Sequence, residues 1–213
     1  MQRPETEKHS GSMGEKICLI TGATSGIGKA TAMGLANMGA SVVMVGRDQG
    51  KGEAVMAEIK EKSTNASVDL MLADLSSQEE IHRLAGEFKE AYPRLDVLIN
   101  NAGLFRSKRI TTAYGLEMTF AVNHLAYFSL TNLLLDVLEA SAPSRIVNVS
   151  SGTTPTGPST SMTSRQRRAT RRRKPTASRS WQTSSSPTSL PGDSREQASP
   201  STACILEREL GPT

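Results

Sequence analysis

Five short runs rich in apolar and β-branched residues alternate with longer, more polar stretches between Lys16 and Ser150. The runs read KICLI, SVVMVG, SVDLMLAD, LDVLIN and RIVNVS. The stretches between them have helical periodicity and predict helices at about 26–38, 49–62, 77–92 and 116–140. Strands that alternate with helices of this length are typical of consecutive βαβ units in one parallel sheet. The sequence therefore predicts an α/β domain.

The composition changes abruptly after Gly152. Up to that residue the chain has 15 Lys and Arg against 17 Asp and Glu, whereas the following 61 residues have 10 against 4. Those 61 residues contain 23 Ser or Thr and 7 Pro, but Trp181 is their one aromatic residue. Such a segment buries too little apolar surface to offset the entropy of ordering it. We expect a basic, disordered tail at 153–213, a disordered N-terminus at 1–12 and one domain at 13–152.

The cysteines and the N-terminus bear on the cellular compartment. Cys18 and Cys204 offer neither a disulfide framework nor metal-ligand spacing, which favours a reduced compartment and no bound metal. Residues 1–12 lack the apolar core of a secretory signal, and no stretch has the roughly 20 apolar residues that span a bilayer. We therefore expect a cytoplasmic protein without a membrane span.

A glycine-rich loop follows the first strand and leads directly into a helix. Glycines let the backbone turn tightly and approach a diphosphate, and a helix N-terminus presents unpaired N–H groups to its charge. A plain strand-to-helix turn is the alternative, but the position between a strand and a helix favours a dinucleotide site. Lys29 is a secondary candidate for a phosphate contact. The candidate cofactor residues in the loop are Thr21, Gly22, Thr24, Ser25, Gly26, Ile27 and Gly28.

With further motifs, this loop resembles the short-chain dehydrogenase/reductase family, whose form of it is T-G-x-x-x-G-x-G. The resemblance covers residues 14–152. Within the family, the sequence is most similar to the retinol-dehydrogenase-like branch, and the acyl-carrier reductases are the alternative for the substrate class. It implies a Rossmann-type doubly wound parallel sheet of order 3-2-1-4-5, truncated here after strand five. The further motifs are Asp74-Leu75 after the third strand, Asn100-Asn101-Ala102-Gly103 after the fourth, Asn123 in VNHLAYF, and Ser150-Ser151 after the fifth.

The resemblance implies how these residues meet a nicotinamide dinucleotide. Asp74 accepts a hydrogen bond from the adenine amino group beside the backbone of Leu75, although a cap for the next helix is an alternative. Asn101, Ala102 and Gly103 lie where the adenosine ribose passes, and a turn that merely ends strand four is their alternative.

The choice of cofactor depends on the end of the second strand, Val45-Gly46-Arg47-Asp48. A carboxylate in place of Gly46 would bind the ribose hydroxyls of NAD(H) and repel a 2′-phosphate, whereas Gly46 leaves that space free and Arg47 supplies a positive charge. NADP(H) is therefore favoured over NAD(H), unless Arg47 pairs with Asp48 or a nearby helix instead.

For catalysis, the resemblance implies that Ser151 orients the substrate oxygen and that Asn123, at a distortion of the long helix, holds a water of the proton relay. The family's Tyr-x-x-x-Lys element is absent, because every tyrosine precedes Ser151 and Lys174 has no tyrosine four residues before it. We expect a hydride-transfer enzyme for small alcohols, aldehydes or ketones that is inactive as written. The alternative is a non-catalytic dinucleotide-binding module whose basic tail binds an acidic partner.

The tail is interpreted as coding sequence translated out of frame. Shifting each codon by one base lets residues 175–183 read A-Y-S-Q-S-K-L-A-N, which resembles the missing catalytic helix. The arginine-rich cluster at 165–174 would by itself give only salt-sensitive attraction, so no specific nucleic acid is expected. Loss of everything after strand five would leave 145–150 as an unpaired sheet edge and make oligomer formation doubtful.

Overall fold

The computed structural model describes residues 13–63, 65, 67–151 and 203–210, with Ser151 and 203–210 described by their backbone alone. The predicted disorder of 1–12 and the interpretation of residues 152–202 and 211–213 lie outside the described residues. The elements, in chain order, are β1 (Ile17–Thr21), α1 (Gly26–Asn37), β2 (Ser41–Gly46), α2 (Gln49–Ser63), β3 (Val68–Leu72), α3 (Gln78–Ala91), β4 (Val97–Asn100), α4 (Met118–Phe120), a π turn (Ala121–Leu125), α5 (Ala126–Leu133), α6 (Leu135–Ala140), β5 (Ser144–Ser151) and β6 (Ala203–Leu210).

The first five strands form a parallel sheet in the order β3-β2-β1-β4-β5, which confirms the predicted fold class. Leu19 in the central strand pairs with Val43 on one side and with Leu98 on the other. The chain moves outward from β1 to β3 and then returns to the opposite side of β1 to begin β4. This reversal leaves a crevice between the carboxyl ends of β1 and β4, where open α/β sheets bind ligands.

Both faces of the sheet are covered, which explains why the strands are nearly continuous apolar runs. Leu19 packs with Phe88 of α3 and Leu130 of α5 in the core on one face. Ile20, its neighbour in the strand, packs on the other face with Ala32 of α1 and with residues of α2. Successive side chains of a strand point to opposite faces, so each run supplies two cores at once.

The edge of β5 is paired, and the expectation of an open edge is wrong. β6 runs antiparallel to β5, with Ala203 opposite Ser151 and Leu210 opposite Ser144. Residues 203–210 therefore form a strand where composition predicts disorder. The physical reason is that an edge strand presents a row of unpaired N–H and C=O groups. The apolar segment Ala203–Leu206 has the composition to pair with it.

The helix that follows β4 is interrupted where the resemblance implies a distortion. The predicted helix at 116–140 is present as α4, the π turn, α5 and α6, with breaks at Ala121–Leu125 and at Leu134. At the start of α3, the Ser77 hydroxyl caps the helix by accepting a hydrogen bond from the Glu80 amide. Within the described residues, no helix combines the length and apolar character needed to cross a bilayer.

A buried carboxylate ties the strands together at the amino end of the sheet. Asp96 is 2% exposed and accepts hydrogen bonds from the Ile17 amide at 2.9 Å, from Lys16 Nζ at 2.9 Å and from Arg94 Nε at 2.9 Å. Burial opposes ionisation, but these three donors hold the pKa of Asp96 below its usual value. The cluster lies at the end opposite the crevice, so its role is in stability.

Candidate functional site

A cavity of about 540 Å³ lies at the carboxyl ends of the parallel strands. Its wall is built from the loop after β1, the end of β2, the segment after β3 and the segment after β4, because parallel strands bring those loops to one edge of the sheet. All candidate cofactor residues except Thr21 and Gly26 line it. They are Gly22, Thr24, Ser25, Ile27, Gly28, Arg47, Asp74, Leu75, Asn101, Ala102 and Gly103.

The glycine-rich loop is packed so tightly that two glycines leave no room for a side chain. Gly22 has a φ of 66°, and a Cβ there would lie 2.8 Å from the Cα of Ala102. A Cβ on Gly28 would overlap the Gly22 carbonyl oxygen and the Asn101 side-chain nitrogen. The glycines thus let the β1–α1 loop close against the segment after β4.

The closed loop leaves a row of amides without protein partners. Within the described residues, none of the backbone amides of 24–28 donates a hydrogen bond to a protein acceptor, and the first such bond of the helix is Lys29 N to Ser25 O. The Ser25 side chain makes no capping bond either. Unpaired amides at a helix N-terminus, together with the helix dipole, form an anion-binding site. The arrangement fits the diphosphate of a dinucleotide.

Thr21 and Asn101 hold this loop in place, and Thr21 does so from a buried position. Its hydroxyl oxygen accepts hydrogen bonds from the amides of Asn101 at 2.9 Å and Ala102 at 3.0 Å. The Asn101 side-chain nitrogen donates to the Thr21 carbonyl at 2.8 Å and the Gly22 carbonyl at 3.2 Å. Direct cofactor contact by Thr21 is therefore corrected to a positioning role, because its side chain is fully buried.

Asp74 has one carboxylate oxygen engaged and the other available. Oδ1 accepts hydrogen bonds from the Ser76 amide at 2.9 Å and the Ser76 hydroxyl at 2.8 Å, so the turn before α3 is stabilised by this residue. Oδ2 accepts no hydrogen bond within the described residues and belongs to a side chain that lines the cavity. Leu75 beside it is 7% exposed. The residue that caps α3 is Ser77 rather than Asp74, and an adenine contact through Oδ2 of Asp74 stays a prediction.

The end of β2 differs in part from its predicted arrangement. The space beside Gly46 is occupied, since a Cβ there would lie 2.6 Å from the Thr24 methyl group. A larger residue at 46 would require the Thr24 side chain to shift, and this methyl group partly fills the space that the sequence argument leaves for a 2′-phosphate. Asp48 caps α2 by accepting a hydrogen bond from the Lys51 amide at 2.9 Å. Arg47 has no ion pair within the described part of the chain and lines the cavity.

Two lysines differ from the sequence prediction. Lys29, a secondary phosphate candidate, donates instead to Glu58 of α2 at 2.6 Å, and it does not line the cavity. Hydrogen bonds from Lys29 and Lys62 lower the pKa of Glu58 to about 2. Lys51, which was not among the candidates, lines the cavity beside Arg47. A cation in the first turn of a helix opposes the helix dipole, and that signal could have identified it.

Asn123 lies in the π turn and binds the segment after β4. Its Oδ1 accepts from the Leu104 amide at 2.9 Å, and its Nδ2 donates to the Leu104 carbonyl at 2.9 Å. The Tyr127 hydroxyl donates to the Ala102 carbonyl at 2.9 Å, and burial raises the pKa of Tyr127 to about 12. Both side chains fix residues 102–104 of the cavity wall. Tyr127 was missed because a tyrosine inside a helix gives no sign of its partner.

Ser151 is the last residue of β5, so its backbone lies at the carboxyl ends of the parallel strands, where the cavity also lies. The described part of β5 places Asn148 beside Asn100 of β4, and the amide nitrogen of Asn100 donates to Asn148 Oδ1 at 2.9 Å. β5 thus ends on the same side of the sheet as the cavity, none of its described side chains lines the cavity, and the catalytic role of Ser151 stays a prediction.

Comparison with known proteins gives the family. The model of the short chain dehydrogenase family matches residues 16–163. The chain belongs to this family. Retinol dehydrogenase 13 from Homo sapiens is 48% identical over 136 residues, which are 64% of this chain and 41% of the relative. Retinol dehydrogenase 14 from Mus musculus is 42% identical over 160 residues, which are 70% of this chain and 48% of the relative.

A solved structure supports the same assignment. A short chain dehydrogenase from Escherichia coli CFT073, in complex with NADPH, superimposes with a TM-score of 0.56 at 30% identity. The match covers 64% of this chain and 59% of the bacterial one. The two retinol dehydrogenases confirm the predicted likeness to the retinol-dehydrogenase-like branch. The chain spans less than half the length of the retinol dehydrogenases described above.

Proposed function

We propose that this chain binds NADP(H) in the cavity as the nucleotide-binding part of an oxidoreductase for small alcohols, aldehydes or ketones. The observation that carries the proposal is the row of unpaired amides at 24–28, held at the crevice of the sheet by the Thr21 and Asn101 hydrogen bonds. A diphosphate accepts several such donors at once, and each hydrogen bond to a charged group contributes about 1.5–3 kcal/mol.

The charges on the cavity wall support NADP(H) over NAD(H). Arg47 and Lys51 line the same end of the cavity, and Arg47 forms no ion pair with a carboxylate among the residues that the structure describes. Asp48 uses Oδ1 to cap α2. A guanidinium and an ammonium that form no ion pair in the described part of the chain favour the dianionic 2′-phosphate that distinguishes the two cofactors. Gly46 itself brings no carboxylate to the end of β2, so this position neither binds the ribose hydroxyls of NAD(H) nor repels a 2′-phosphate.

The chemistry proposed for the family site is hydride transfer to or from the nicotinamide, with a proton exchanged at the substrate oxygen. Ser151 would orient that oxygen. Asn123 acts through the Leu104 backbone as a positioning residue, and its part in a water relay stays a prediction. The printed sequence has no Tyr-x-x-x-Lys element. We therefore propose binding of NADP(H) without turnover for the chain as printed.

The out-of-frame interpretation explains why that element is missing. Its test is resequencing of the gene around codons 152 and 153, where one inserted or deleted base is expected. Correct codons followed by early stops in the shifted frame would refute it. The alternative, a basic tail that binds an acidic partner, depends on residues 165–174, which lie outside the described residues. The cytoplasmic location also stays a prediction.

Fluorescence titration of the purified chain with NADPH and NADH tests the binding proposal. We expect the chain to bind NADPH more tightly than NADH. The R47Q variant should bind NADPH about tenfold more weakly, because one charge-assisted contact is lost, and should bind NADH with little change in affinity. The control is R109Q, which removes an exposed arginine outside the cavity. A folded protein that binds neither nucleotide contradicts the binding proposal. Sustained turnover of a carbonyl substrate contradicts the proposed inactivity and leaves the binding proposal intact.

A further inference from the structure

The segment between β4 and α4 displays apolar side chains at the surface. We define residues 105–116 as the basic loop. In it, Phe105 is 85% exposed, Tyr114 is 51% exposed and Ile110 is 44% exposed. Large apolar side chains that cluster at the surface commonly mark an interaction site. The proposed dinucleotide site uses none of these three side chains.

The same loop carries three cations and no acidic residue. Arg106, Lys108 and Arg109 are all exposed. Arg106 and Lys108 form no ion pair or hydrogen bond within the described residues. The positive charge of Arg109 attracts the Glu117 carboxylate, which accepts hydrogen bonds from the Thr119 and Phe120 amides of α4. The loop therefore combines a net positive charge with exposed apolar side chains.

The backbone holds the second half of the loop in a defined shape. The Met118 amide donates to the Ile110 carbonyl at 2.9 Å, and the Thr112 amide donates to the Leu116 carbonyl at 2.8 Å. Gly115 makes the turn with a φ of 73°. Ile110 and Tyr114 are thus presented from a small hairpin, so little ordering entropy is lost when they are buried by a partner.

We propose that the basic loop docks on an anionic phospholipid surface. Apolar side chains enter the boundary between headgroups and acyl chains, while neighbouring cations are attracted to anionic headgroups. Nucleic acid would use the cations and could stack on the aromatic rings, but it gives Ile110 no favourable environment. Arg106 also lines the cavity, so the docked surface would lie at the cavity mouth.

Co-sedimentation of the full chain with vesicles tests this proposal. We expect binding to phosphatidylcholine vesicles that contain phosphatidylserine, weak binding to phosphatidylcholine alone, and release by salt. The K108Q/R109Q variant should bind about 30-fold more weakly at low salt, since each cation near an anionic surface contributes about a fivefold effect. F105S should weaken binding at every salt concentration, because it removes inserted apolar surface.

The control is K60Q/K62Q, which removes the same charge from α2 and should bind vesicles like the unmodified chain. Equal losses in the two double variants would mean that net charge alone drives binding, and the proposal would be wrong. It would also be wrong if no vesicle binding occurs, if duplex DNA is bound instead, or if neither K108Q/R109Q nor F105S changes the affinity. The last result would place the contact elsewhere, for example at 165–174. Circular dichroism confirms that each variant is folded.

Discussion

Replacing Gly28 by alanine should damage both stability and cofactor binding. The added Cβ would lie 2.9 Å from the Gly22 carbonyl carbon and would overlap the Gly22 oxygen and Asn101 Nδ2. The overlap with the Gly22 oxygen is the larger one, so restoring an ordinary contact of about 3.4 Å requires the loop to move by about 1 Å, and overpacking of this kind costs about 1–3 kcal/mol. The movement also displaces amides 24–28 from the positions that suit a diphosphate.

The size of the binding effect follows from those amides. Loss of one or two hydrogen bonds to a charged group, at about 1.5–3 kcal/mol each, corresponds to a rise in the NADPH Kd of about 10-fold to more than 100-fold. Calorimetric titration gives the Kd and thermal unfolding gives the stability. The titration must be done below the lowered Tm, so that unfolding does not imitate a loss of affinity.

Gly34 provides the matched control on the same helix. A Cβ at Gly34 meets nothing within 4 Å, so G34A should raise stability by up to about 1 kcal/mol and leave the NADPH Kd unchanged. If G28A binds NADPH like the unmodified chain and unfolds at the same temperature, the packing of this loop does not position the amides as described, and the argument is refuted.

Two further substitutions test the hydrogen bonds that hold the sheet and the loop. D96N should destabilise the domain by about 2 kcal/mol, because Lys16 and Arg94 lose a buried carboxylate. The lowered pKa of Asp96 means that its contribution is complete above about pH 4 and is lost as the pH falls through the folded-state value, so urea titrations of the two proteins should converge in acid and differ at neutral pH. An equal difference at every pH would contradict the carboxylate's role. N101A removes two hydrogen bonds to the loop and should lower both Tm and NADPH affinity, whereas N132A, whose side chain bonds within α5, should leave the affinity unchanged. Equal NADPH affinities for N101A and the unmodified chain would contradict the positioning role.

The parts of the site that sequence reasoning predicts are those fixed by local chain geometry. A strand, a tight turn and a helix start must follow one another in the β1–α1 loop, and glycine is the residue that permits the positive φ of Gly22. The five apolar runs predict the sheet because a strand covered on both faces needs apolar residues at successive positions. The cavity then follows from the strand order.

The features that sequence reasoning missed depend on residues far apart in the chain. The Thr24 methyl group, in the loop after β1, fills the space beside Gly46 at the end of β2, because β1 and β2 lie side by side. Lys29 pairs with Glu58 because α1 and α2 pack against each other, and nothing near Lys29 in the sequence marks that partner. The antiparallel pairing of β6 with β5 joins segments more than fifty residues apart in the chain. Composition alone could not distinguish that strand from the tail around it.

The most direct test of the central claim is amide hydrogen exchange of the full chain with and without NADPH. The account predicts that NADPH slows exchange at the amides of 24–28, which have no protein acceptor in the described structure, and leaves those of 110–116, the part of the basic loop outside the cavity, unchanged. If NADPH binds, as fluorescence would establish, and these amides exchange as fast as before, the diphosphate is bound elsewhere and the account is wrong.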